Sequence, residues 1–142
     1  MLKKILVADD NPNIRQTLYD ILTEKGYQVD TASDGYEVLS YLKEKNAHIL
    51  VLDLIMPYKN GVEILSTIKN IAPYIRIIIY TAFKEYENLM YTKEADKFIP
   101  CFIKRITISA CPFLAAILKA LITLGWFIST KFSTRMVCSS SV

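Results

Sequence analysis

The chain has 142 residues, 52% of them hydrophobic and 22% charged, which suits one domain with a packed core and excludes a disordered chain. Its net charge of +3 hides a split: residues 1–100 carry 12 Lys and Arg against all 14 acids, net −2, whereas residues 101–142 hold five basic residues and no acid. The basic residues form no patch with interleaved aromatics, so no direct DNA binding is expected.

The N-terminal apolar run is confined to residues 5–8 before two aspartates, too short for a signal peptide. Cys101, Cys111 and Cys138 are odd in number and match no metal-binding spacing, so reduced thiols in a cytoplasmic setting are expected.

In chain order, KKILVA (3–8) predicts a strand, and Asn11 and Pro12 then cap and open a helix. Ile14, Leu18, Ile21 and Leu22 repeat at helical spacing up to a stop at Gly26. YQVDTA (27–32) predicts the second strand, and Ser33 or Asp34 with Gly35 opens a helix carrying Val38, Leu39 and Leu42. HILVL (48–52) predicts the third strand and residues 61–70 the third helix. IRIIIY (75–80) predicts the fourth strand, residues 83–92 a weaker, charged helix, and KFIP (97–100) a short fifth strand.

Apolar runs without two-residue alternation mark strands buried on both faces, as in a parallel sheet covered by helices on each side. With right-handed crossovers the result is a doubly wound five-stranded α/β sandwich. Ligands in such sheets bind at the carboxyl ends of the strands, where strand order reverses.

Asp9 and Asp10 follow the first predicted strand, and Asp53 follows the third. Taken singly, Asp9 and Asp10 suit the first turn of a helix and Asp53 a turn. Together, at adjacent strand ends, they repel one another and favour a hard cation such as Mg²⁺, which takes one or two carboxylates and keeps several waters. One carboxylate is then left to act as a nucleophile towards a phosphoryl group. Thr81, ending the fourth strand, places a hydroxyl at the same rim.

ILVADDNP, LVLDLIMPYKNG with its Asp-x-x-Met-Pro-x-x-x-Gly pattern, IIIYTA and ADKFI, in that order, resemble the receiver domains of bacterial two-component response regulators over residues 3 to about 99. The resemblance implies a flavodoxin-like, CheY-like three-layer sandwich. It implies Asp53 as phosphoacceptor from a sensor histidine kinase. Asp10 and Asp53 would hold Mg²⁺ directly, Asp9 through water, and the backbone carbonyl of Ile55 would complete the protein ligands. Thr81 and Phe98 look like the switch hydroxyl and switch aromatic. The protein would then be no enzyme in the ordinary sense, but a phosphoacceptor that assists its own phosphorylation and dephosphorylation. Pro57 is expected to fix the turn after the nucleophile, and Asn60-Gly61 to tolerate positive φ before the next helix.

The sequence departs from the family after the fifth strand. A Lys-Pro pair is expected there, and Cys101 and Phe102 stand in its place. Cysteine supplies no cation at neutral pH, so acceptance of phosphate and its coupling to the output face become separate questions.

Residues 1–100 thus read as a receiver core and 101–142 as an atypical hydrophobic, basic tail. Residues 106–130 contain one charge, Lys119, and are long enough to cross a bilayer, although a central lysine costs about 2.5–3.5 kcal/mol on insertion. As a soluble helix, Phe113, Leu114, Ile117, Leu118, Leu121, Leu124 and Ile128 share one side, and Ala115, Ala116, Lys119 and Thr123 the other, as in a fifth helix closing over the sheet. The abrupt loss of acids also suggests a reading frame shifted near codon 100, which resequencing of the coding DNA would test.

His48 reads as a surface residue. No P-loop, GxGxxG or GxSxG occurs. The functional expectation is a cytoplasmic, single-domain response regulator, partnered by a sensor kinase and a downstream phosphotransferase or effector. The alternative is a degenerate receiver acting as a phosphate-independent interaction module or, through its tail, a membrane-associated one.

Overall fold

A computed structural model of the chain describes residues 3–59, 61–81, 95–100, 117 and 119, with 97–100 described as backbone. The elements run β1 (Lys4–Ala8), α1 (Pro12–Glu24), β2 (Gln28–Ala32), α2 (Gly35–Glu44), β3 (Ile49–Asp53), α3 (Gly61–Ile71), β4 (Arg76–Thr81) and β5 (Lys97–Pro100). The strands form one parallel sheet in the order β2-β1-β3-β4-β5. The chain therefore moves outward from β1 to β2, then returns past β1 to β3. That reversal puts the crevice expected of a doubly wound sheet between the carboxyl ends of β1 and β3.

β1, β3 and β4 are buried on both sides because each side meets a helix layer, whereas the outer strand β2 exposes Gln28 and Thr31. Leu6, Leu50, Leu52, Ile77 and Ile79 pack under Val38, Leu39 and Leu42 of α2 and Ile64, Leu65 and Ile68 of α3. Ile5, Val7, Ile49, Val51, Ile78 and Tyr80 pack under Ile14, Leu18 and Leu22 of α1. The three-layer α/β sandwich read from the sequence is the fold observed.

Local chemistry sets the helix ends. The Asn11 side chain accepts from the Asn13 amide at 3.0 Å, with Pro12 at the first helical position of α1. Gly26, at φ 86°, ends α1: its amide donates to the Thr23 carbonyl at 2.9 Å and the Tyr27 amide to Leu22 at 3.1 Å. Of the two candidates for α2, Asp34 is the cap, accepting from Tyr36 and Glu37 amides at 2.8 and 2.9 Å, while Glu37 reaches back to the Ser33 amide at 2.7 Å.

The structure corrects two readings. Tyr58 has a positive φ, at 63°, and Gly61 does not, while Asn60 lies outside the described residues. Gly61 is required for close approach instead: a Cβ there would lie 2.5 Å from the Asp53 carbonyl oxygen. His48 is half-buried, and its Nδ1 accepts from the Lys4 amide at 3.0 Å, fastening the start of β1 beside β3.

Ile117 and Lys119 have helical backbone; Ile117 is fully buried in the α1-side cluster and Lys119 is exposed. The helix expected over 83–92, Cys101, Phe102 and the rest of the tail lie outside the described residues. Among the described residues no helix is long and apolar enough to cross a membrane.

Candidate functional site

Parallel register brings the acids together. Ala8 pairs with Leu52, so Asp9, one residue beyond, comes level with Asp53, the last residue of β3. Carboxylate oxygens of Asp9, Asp10 and Asp53 lie within 4.8 Å of one another, with Asp9 and Asp53 buried and Asp10 exposed. This is the convergence that neighbouring first and third strands were expected to produce.

Loop hydrogen bonds fix the cluster. The Asn11 amide donates to Asp9 Oδ1 at 2.7 Å, and the Asp9 amide donates to the Ala32 carbonyl at 3.2 Å. Arg15, one turn into α1, donates through Nη1 to the carbonyl oxygens of Asp9 and Asp10, at 2.6 and 3.0 Å. The Tyr80 hydroxyl donates to Asp9 Oδ2. Asp53 is fully buried.

The donor set fits a hard divalent cation. Three carboxylates whose oxygens crowd within 4.8 Å, two of them buried, are mutually repulsive without a positive charge, and oxygen donors are those that Mg²⁺ prefers. Ile55 lies two residues past Asp53 in the loop that follows β3, with its side chain exposed. Thr81 is buried at the end of β4, one residue beyond Tyr80, which is the partner of Asp53 in the β3–β4 ladder. Phe98 lies on β5 opposite Ile79 of β4.

Arg15 and Tyr80 were not singled out by the sequence reading. Arg15 sits in a polar stretch of α1 where reach back to the loop has no sequence signature. Tyr80 did carry one: a phenol at the end of an otherwise aliphatic buried strand needs a hydrogen-bond partner.

The response regulator receiver domain family matches residues 5–108. The chain belongs to this family. Sporulation initiation phosphotransferase F of Bacillus subtilis is 35% identical over 94 residues, 66% of this receiver chain and 76% of the relative. The response regulator TrrA of Thermotoga maritima, solved in complex with Mg²⁺-BeF, superposes with a TM-score of 0.72 at 32% identity, covering 84% of this receiver and 99% of TrrA. TrrA solved in complex with the histidine kinase ThkA gives a TM-score of 0.68 at 34% identity, covering 85% of this chain and 99% of that one. The receiver fold and a place among two-component response regulators follow from these matches.

Proposed function

We propose that this receiver accepts a phosphoryl group on Asp53 from the phosphohistidine of a sensor histidine kinase. The observation that carries the reading is the meeting of Asp9, Asp10 and Asp53 oxygens within 4.8 Å at the strand-order reversal. Asp10 and Asp53 would hold Mg²⁺ directly, Asp9 through water, with the Ile55 carbonyl as a further ligand. When bound, Mg²⁺ supplies charge neutralisation and alignment of the phosphoryl oxygens.

In the transfer an Asp53 carboxylate oxygen forms the new O–P bond. The P–N bond to the donor imidazole breaks, and the ring nitrogen keeps the electron pair and takes up a proton. Burial of Asp53 limits water at the acyl phosphate, which otherwise hydrolyses back to carboxylate and inorganic phosphate. Thr81 would then donate its hydroxyl to a phosphoryl oxygen, and Phe98 would turn with it, so that one new charge biases two arrangements of the face beyond β4. The protein acts as a phosphoacceptor and catalyses no turnover of a separate substrate.

A cytoplasmic receiver that hands the group to a downstream phosphotransferase or effector is the fuller form of this reading. TrrA's complex with a histidine kinase and the likeness to a sporulation phosphotransferase support it. Cys101 and Phe102, in place of Lys-Pro, favour the alternative of a phosphate-independent interaction module, or a membrane-associated one. Phosphoramidate, a P–N donor, tests the choice by intact mass in the presence of Mg²⁺. One added phosphoryl group, removed by hydroxylamine as an acyl phosphate should be, supports phosphotransfer; an unchanged mass supports the alternative.

A further inference from the structure

Asp9 is held from two directions. Its Oδ1 takes the Asn11 amide of its own loop at 2.7 Å, and its Oδ2 takes the hydroxyl of Tyr80. Tyr80 belongs to β4, which is separated from β1 by β3 in the sheet order. In the ladder Asp53 is the neighbour of Tyr80, and Asp9, the residue after β1, lies on the other side of Asp53. Asp9 and Tyr80 also share a face, since Val7 and Tyr80 both belong to the α1-side cluster and residues two apart on a strand point the same way. The phenol therefore crosses the level of the proposed phosphoacceptor to reach the carboxylate on its far side.

We infer that Tyr80 is a positioning residue for the divalent-cation site: it orients the Asp9 carboxylate towards the cation and ties that acid to the strand that ends in Thr81. This role rests on the Mg²⁺ reading of the Asp9, Asp10 and Asp53 cluster. A carboxylate oxygen has more than one acceptor direction, so a hydrogen bond from Tyr80 leaves Asp9 able to accept from a cation-bound water as well. Groups behind a ligand fix its orientation, and their loss typically lowers metal affinity about 10- to 100-fold. A phenol placed merely to satisfy a core acceptor would affect folding stability and leave cation affinity where it was.

Tyr80→Phe removes the hydroxyl and keeps the ring that fills the core. Calorimetric titration of the full chain with MgCl₂ is expected to show about 10-fold weaker binding in Tyr80→Phe than in wild type. Equal or tighter binding by the variant overturns the role of Tyr80 and leaves the Mg²⁺ site standing. Absence of saturable binding by the wild type overturns the site reading, and the inference with it. A measurement on wild type alone guards against a variant that fails to fold: with tyrosines ¹³C-labelled at Cζ, one buried tyrosine resonance should move with the same midpoint as Mg²⁺ binding. Saturation of the cation site without movement of any tyrosine resonance would sink the inference.

Discussion

Gly61 lies against Asp53 so closely that a Cβ on the glycine would stand 2.5 Å from the Asp53 carbonyl oxygen and 2.9 Å from Leu54 Cα. The atoms in the way are backbone, which cannot swing aside as a side chain tip does. The Gly61 amide also donates to the Leu54 carbonyl at 2.9 Å, so the start of α3 is fastened to the end of β3. Gly61→Ala is expected to cost about 1–3 kcal/mol of stability in urea unfolding. It should also reduce phosphorylation of Asp53, because the displaced backbone carries the acceptor.

At the opposite end of β4, Asp96 binds Arg76 at 2.6 Å, the Ile77 amide at 2.9 Å and Lys69 at 3.8 Å. Burial alone would raise its pKa; the Arg76 hydrogen bond, the Ile77 amide and the Lys69 and Arg76 charges outweigh burial and lower it. A carboxyl whose folded value lies below its unfolded value stabilises the fold above the unfolded value of about 4, and that contribution disappears as pH falls through the lowered folded value. Asp96→Asn should therefore lose about 1–3 kcal/mol at neutral pH. Denaturant unfolding from pH 7 down to pH 3 should show the gap between variant and wild type closing on the acid side; a gap independent of pH would contradict this.

Ile117 is fully buried among Leu18, Leu22, Val7 and Tyr80, which places this one position of the tail in the core on the α1 side. Ile117→Ala is expected to destabilise the fold by about 2–5 kcal/mol. Lys119→Ala, at an exposed position, should stay within about 0.5 kcal/mol of wild type. Equal, negligible effects in thermal unfolding would mean that the tail contributes nothing to the core.

The strands and the acidic cluster were legible because both are written in local pattern. The apolar runs ILVA, HILVL and IRIIIY suit strands covered by helices on both faces, and acids directly after the first two come to one edge once those strands are parallel neighbours. The structure shifts β3 by one residue, to Ile49–Asp53, so that it ends on Asp53 itself. Tyr80 was missed because its partner lies 71 residues away, and only the strand order β1-β3-β4 brings the two together. The positive φ of Tyr58 was not foreseen, for a related reason. Gly61 has the composition for a left-handed turn, yet Tyr58 takes a positive φ and Gly61 does not. Long-range bonds close that loop: the Gly35 amide donates to the Lys59 carbonyl at 3.1 Å and the Gly61 amide to Leu54. Tertiary closure overrode the ordinary preference of a bulky residue for negative φ.

Phosphorylation of Asp53 in a site built with Asp9 and Asp10 is the step on which the proposed function depends. Its most direct test is intact-mass spectrometry of the full chain after exposure to acetyl phosphate, in parallel with Mg²⁺ and with EDTA, for wild type and Asp53→Asn. The prediction is a gain of one phosphoryl group by wild type with Mg²⁺, and no gain with EDTA or in the variant. A gain that persists in Asp53→Asn, or a folded wild type that gains nothing with Mg²⁺, would contradict it.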